Sequence, residues 1–263
     1  LWVVLDPRER LLGAIPTDVV SRSALRGVRP QGTQRQIRAD FPDRYDKATL
    51  ACLIQTDALP GPYALCCKHV LSAPDILSGT NQGRVLNNGS GTEFGKSSVY
   101  YGAMGSDIIS LDAQLAVIED LAGARATMSA LKFRSSIAQG TFDIPSHFFV
   151  HQPTEFGSTP LAASWVQFQY HDFTIPYSTP LGTANIHHQM LVQYQLDQGG
   201  STQKGMSGAA VSSDPTGGMF LGMHIAGLGS DGLFIPAWLL IDGSQYGLSP
   251  ESVLHPRGAA DAG

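Results

Sequence analysis

Gly205-Met206-Ser207-Gly208-Ala209-Ala210-Val211 is the stretch on which the reading of this chain turns. A serine between two glycines, followed by small residues and a β-branched one, is what a backbone oxyanion hole requires. Gly205 lets the chain turn so that its own N–H and that of Ser207 point at one oxygen. Gly208 removes a Cβ where substrate and chain come close. The same pattern describes many polar turns, so its weight depends on what lies upstream.

A serine hydroxyl is a poor nucleophile until a base takes its proton, and that base must be oriented by a third group. The candidate base is His69, at the polar end of the apolar run Tyr63-Ala64-Leu65-Cys66-Cys67-Lys68-His69-Val70-Leu71-Ser72. The candidate orienter is Asp112, which opens the strand-like Asp112-Ala113-Gln114-Leu115-Ala116-Val117-Ile118 and is placed to be desolvated against an imidazole. Asp107 is a rival orienter. Asp112 is preferred because Leu115–Ile118 continues from it as a strand.

Around these residues the chain reads as many short strands. Its 263 residues suffice for one large domain or two small ones, only 15% are charged, and Gly (29) and Pro (16) are plentiful. Strand-like runs are read at Thr49–Ile54, Tyr63–Leu71, Gly83–Leu86, Ser97–Tyr101, Asp112–Ile118 and Ala126–Phe133. A second set follows at His147–Val150, Ala163–Phe168, Gln189–Gln195, Ala209–Ser212, Met219–Ile225 and Leu233–Pro236, with a short closing helix at Trp238–Ile241. Two sets of about six strands imply two successive barrels or sandwiches. The expected organisation is an arginine-rich extension over residues 1–45, a first barrel over 46–135 carrying His69 and Asp112, and a second over 136–263 carrying Ser207 and a tail.

With these residues in the order His, Asp, Ser, the chain resembles the trypsin-like (chymotrypsin-fold) serine peptidases over about residues 48–245. That resemblance implies a mainly β protein of two six-stranded antiparallel barrels with the active site in the cleft between them. It also implies peptide hydrolysis through an acyl-enzyme, with an oxyanion hole from the N–H groups of Gly205 and Ser207. The main chain of Ile225, Ala226 and Gly227 would bind an extended protein or peptide substrate as an added strand. Thr202 and His224 stand where members cleaving after Glu or Gln, among them glutamyl endopeptidases and picornavirus-type processing proteases, line the S1 pocket. Ser201 stands where a preference for Lys or Arg would need an aspartate. Limited processing fits such a restrictive pocket.

The departures from that family define the alternative. Lys68 replaces a small residue before the histidine, and Gln114 interrupts an apolar run. Met206 replaces the acidic residue that anchors a new N-terminus in zymogens, so a preformed oxyanion hole, or one set by a regulatory partner, is expected. Together they keep open a catalytically degenerate binding or scaffold protein, and an esterase using the same residues is a further rival.

The remaining features are exclusions. A net charge of −5 gives no electrostatic reason to expect nucleic acid or an anionic membrane as partner, and no run approaches the ~20 apolar residues of a membrane-spanning helix. Cys52, Cys66 and Cys67 read as small buried hydrophobes, which allows a reducing, cytoplasmic setting. The chain begins with Leu, as expected of a processed product, an excised domain or part of a larger parent chain. His147 and His151 read as strand residues, His171-Asp172 as facing opposite sides of a strand, and His187-His188 as surface. No H-E-x-x-H set, P-loop or dinucleotide fingerprint occurs, so no metal or cofactor is expected.

Overall fold

The computed structural model describes residues 19–21, 36–42, 44–78, 83–128, 132–153, 156–157, 159–170, 173–179, 182–197 and 199–258. Most of the expected N-terminal extension, and His171-Asp172, lie outside the described residues.

Two large antiparallel systems share one strand order. The second half forms a ring from β11 (His147–Val150), β12 (Leu161–Tyr170), β15 (Met190–Leu196), β16 (Ala210–Asp214), β17 (Gly217–Leu228) and β18 (Asp231–Pro236). The pairings run β17-β16-β11-β12-β15-β18, and β18 pairs back onto β17, which closes the barrel. Closure removes both sheet edges. Alternating inward residues fill it: the Phe148, Tyr194 and Phe234 rings pack with centroids 5.5–6.2 Å apart.

In the first half, β2 (Gln36–Asp40), β4 (Cys52–Gln55), β5 (Tyr63–Cys66), β6 (Arg84–Asn87), β7 (Glu93–Tyr101) and β9 (Gln114–Ile118) pair in the order β4-β5-β9-β7-β6-β2. With β2 in the place of β11, this repeats the relative order of the closed ring. The sheet is extended beyond β2 by β3 (Arg44–Thr49) and β1 (Val19–Ser21), and beyond β4 by β19 (His255–Arg257). Because β2 starts at Gln36, the first sheet reaches upstream of residue 46.

Several segments depart from the strand reading. Tyr63–Leu71 is strand only to Cys66, and Lys68–Leu71 is one turn of helix, α1. Leu50 and Ala51 interrupt the expected Thr49–Ile54 strand between β3 and β4. The expected strand from Ala126 is preceded by helix α2 (Leu121–Thr127), whose N-cap Asp120 accepts the Gly123 N–H at 3.0 Å, and β10 (Lys132–Ile137) follows it. The closing helix, α3, is present at Ala237–Leu240.

A further departure is a hairpin absent from the sequence reading. β13 (Thr174–Thr179) and β14 (Gly182–His188) pair with each other, and β14 pairs in parallel with β8 (Ile109–Ser110) through His187↔Ile109 and His188↔Ser110. This three-stranded sheet joins the second half to the segment of the first half that runs into Asp112.

The halves also meet through the main chain. The Thr49 N–H donates to the Ser207 carbonyl at 2.8 Å, and the Thr49 hydroxyl donates to the Gly205 carbonyl at 2.9 Å. Gly208 has φ +89°, and a Cβ there would lie 1.9 Å from the Thr49 carbonyl oxygen. Glycine at 208 is therefore demanded by the seam between the halves.

Candidate active site

Strand register brings His69 and Asp112 together. β5 and β9 are antiparallel neighbours paired to their ends at Cys66↔Gln114. Residues just past the end of β5 therefore face residues just before the start of β9. There the His69 N–H donates to Asp112 Oδ1 at 2.9 Å, and His69 Nδ1 lies 2.6 Å from Asp112 Oδ2. Asp107, the rival, sits exposed in a turn.

The pair is dry: Asp112 is wholly buried and His69 is 3% exposed. Burial pushes the Asp112 carboxyl up, but the His69 charge and hydrogen bonds, with His188, prevail and hold it at about 2. It is thus a carboxylate at neutral pH, so the short contact is an Nδ1–H donated by His69. Nε2 is then the ring nitrogen that carries no proton and can accept one.

Ser207 lies on the loop between β15 and β16, buried at the seam. Its hydroxyl donates to the Ile225 carbonyl at 3.2 Å. The same stretch is fixed on its other side, where Gly208 N–H donates to the His224 carbonyl at 2.8 Å and the Cys67 thiol reaches that carbonyl at 3.6 Å. Ser207 is thereby tied to β17 at a point that also touches Cys67, two residues from His69. Gly205 holds φ +95° in this loop, a conformation that glycine adopts without strain.

Along β17 the pairing with β16 ends at Ala210↔Met223, and the register with β18 shifts between His224 and Ala226. From Ile225 onward, β18 is the sole strand partner among the described residues. Gly227 packs on Thr202, where a Cβ would meet the threonine side chain at 2.6 Å. The Thr202 hydroxyl donates to the Gly229 carbonyl at 3.1 Å. His224 is buried, with Nδ1 2.8 Å from the Tyr194 hydroxyl. Its ring is driven down to about 3, by burial first and then by His69, against a backbone hydrogen bond at Leu233. A neutral imidazole results.

The three departures from the family pattern are absorbed by the fold. Lys68 is buried with Nζ 3.1 Å from the Gly102 carbonyl and 4.1 Å from the centre of the Tyr101 ring. Burial lowers its ammonium to about 8, opposed by the charges of Asp112 and Asp75. Gln114 donates to the Ser98 carbonyl at 2.7 Å and accepts from the Ser72 hydroxyl at 2.8 Å. Met206 is core, and its sulfur accepts the Gln203 N–H at 3.2 Å.

Two residues of the site are not among the sequence candidates. The Tyr177 hydroxyl lies 2.9 Å from Asp112 Oδ2 and 3.2 Å from His188 Nε2. His188 is 2% exposed, which corrects its reading as a surface residue: its place at the end of β14, against β8, buries it. His151 is also buried, its Nε2 2.6 Å from the Ser212 hydroxyl, whereas His147 is exposed. The three cysteines are free and buried. Cys67, His69 and Asp112 each place a donor atom within 4.8 Å of the others. The imidazole and carboxylate there are bonded to each other, so the group reads as a hydrogen-bonded pair beside a thiol. Among the described residues no helix is long and apolar enough to cross a membrane.

No family model matches the chain, and no curated protein does. Among solved structures it is similar to a glutamic acid-specific serine protease that uses a histidine triad in substrate binding. That match has 14% identity and TM-score 0.47, and covers 84% of this chain and 98% of the other. It is also similar to a human pathogenic astrovirus serine protease, with 14% identity and TM-score 0.40, covering 79% and 94%. The 3C protein of HRV-C, solved with rupintrivir, matches at 11% identity and TM-score 0.35, covering 77% and 91%.

Proposed function

We propose that this chain is a serine endopeptidase in which Ser207 attacks, His69 moves the proton and Asp112 holds the imidazole. The observation that carries the reading is the buried 2.6 Å contact between His69 Nδ1 and Asp112 Oδ2, which leaves Nε2 as the working nitrogen. Ser207 turns its hydroxyl from the Ile225 carbonyl to His69 and adds to the scissile carbonyl as Nε2 takes its proton. The Gly205 and Ser207 N–H groups receive the oxyanion. Collapse expels the amine, which takes the proton from His69, and water repeats the sequence to release the acid and restore Ser207. The edge of β17 from Ile225 to Gly227 receives the substrate as a strand. Thr202 and His224 favour Glu or Gln at P1: the buried His224 ring penalises a side chain that leaves its N–H unpaired, and the half-buried Thr202 hydroxyl turns from the Gly229 carbonyl to add a second donor.

A serine-reactive fluorophosphonate tests the nucleophile. Wild-type protein should label and Ser207→Ala should not; labelling that persists in the variant removes Ser207 from the role. A peptide library tests the pocket, and dominant cleavage after Lys, Arg or Phe would sink the assignment of Thr202 and His224. A second reading, a non-catalytic binding module of this fold, draws on the Ser207 hydroxyl being engaged by Ile225. It predicts wild-type protein that neither labels nor cleaves any library member.

A further inference from the structure

We propose that the β13–β14 hairpin completes the acid side of the site: Tyr177, held by His188, donates to Asp112 and sets the carboxylate on which His69 relies. Both are positioning residues, and the proposal rests on the serine-peptidase reading above.

Proton counting fixes the direction of every bond. An ionised Asp112 can only accept. Tyr177 has one hydroxyl proton, and at 2.9 Å it goes to Asp112 Oδ2. The phenol oxygen must then accept at its 3.2 Å contact, so His188 Nε2 carries a hydrogen. A neutral imidazole has one N–H, which leaves Nδ1 bare, and Nδ1 is the buried His188 nitrogen that has no partner among the described residues. The chain therefore runs from His188 Nε2–H to Tyr177 O–H to Asp112, which also receives His69 Nδ1–H.

A buried phenol needs some acceptor, and a backbone carbonyl would serve. This one instead takes the carboxylate oxygen that His69 uses, with its ring centroid 5.4 Å from that of His69 and 6.0 Å from that of His188. The hairpin extends neither large sheet; among the described residues its one strand partner is β8, two residues before Asp112. Its buried polar groups are therefore delivered to the acid from the opposite half of the molecule.

The titratable groups around this network are His69, Lys68, Cys67, His187 and Asp112 itself. Burial, first, drives His188 down to about 4, against the pull of Asp112. Burial, then Asp112, raises the Tyr177 hydroxyl well above its usual range. Both stay neutral near pH 7, so the phenol donates to the carboxylate without cancelling its charge.

Tyr177→Phe keeps the ring and deletes the donor. With the donor gone, the whole carboxylate charge bears on His69 and favours the imidazolium, so the acid limb of the pH–rate profile moves to higher pH. The rate falls about 10-fold or more, in line with loss of a hydrogen bond to a charged group. His188→Gln, which retains an N–H, gives a smaller change in the same direction. Fluorophosphonate labelling against pH reads both, and ¹⁵N NMR of the wild-type protein should show His188 as its Nε2–H tautomer. A wild-type protein that labels, with Tyr177→Phe matching its rate and acid limb, overturns the proposal, as does an Nδ1–H tautomer at His188. If wild-type protein fails to label, the peptidase reading falls by itself. The His188 tautomer and a shift of the His69 Nδ1–H resonance in Tyr177→Phe then still decide the hydrogen-bond chain.

Discussion

The second barrel closes on itself through β17 and β18, and His224 sits inside that ring against Tyr194. The first sheet follows the same strand order, yet its two site residues lie beyond the ends of β5 and β9, outside the regular pairing. On the proposed reading, one half shapes its P1 pocket from its own core. The other brings His69 and Asp112 to the seam, where neighbours from the opposite half finish the arrangement: Ser207 and Gly205 on Thr49, and the β13–β14 hairpin on Asp112. Specificity and catalysis should thus respond differently to damage at the seam.

The largest effect is expected from Asp112→Asn. An amide presents an N–H to His69 and Tyr177 and reverses the tautomer in which Nε2 carries no proton, so kcat should fall about 10⁴-fold. Peptide turnover measures the loss, and the P1 preference proposed for the second barrel should survive it. A fall under tenfold would mean that the first half contributes no working acid.

Gly208→Ala comes next. It forces a side chain into φ +89° and drives a Cβ against the Thr49 carbonyl. Both faults fall on the seam, and the cost should reach about 3–5 kcal/mol in chemical denaturation. A cost below about 1 kcal/mol would show that the halves can separate and re-seat without penalty.

How much of this arrangement the chain displays in advance follows from what makes each element. Strands such as His147–Val150 and Met219–Ile225 announce themselves by apolar content, and the triad candidates by their residue types. α1 is a single turn in which both Val70 and Leu71 are buried, too short for a helical period to register. α2 did carry a signal, Asp120 capping an alanine-rich run, which the strand reading passed over. The β13–β14 hairpin was hidden because Pro176 argues against a strand. β13 is the outer strand of its sheet, the one position where proline costs little. The burial of His188 depends on β8, which its neighbours in sequence do not reveal.

The smallest effect concerns Lys68, whose ammonium burial lowers from 10.5 to about 8. Between these values the unfolded chain holds a proton that the folded chain has released, so this group makes stability rise with pH from about 8 to 10.5. Lys68→Met should flatten that rise in melting temperature against pH. An unchanged slope would show that the ammonium keeps its charge in the first half.

β19 gives the first half a dependence on time. Its Arg257 side chain donates to Gln55 across 202 residues of sequence, and its backbone covers the outer edge of β4. At ribosomal rates those residues arrive about 10–40 s after β4 has been made. Throughout that interval the nascent first sheet presents an open strand edge, the surface most prone to pairing with another chain. Each ribosome on a shared message would carry that same edge, so the density of translation sets how many such edges meet.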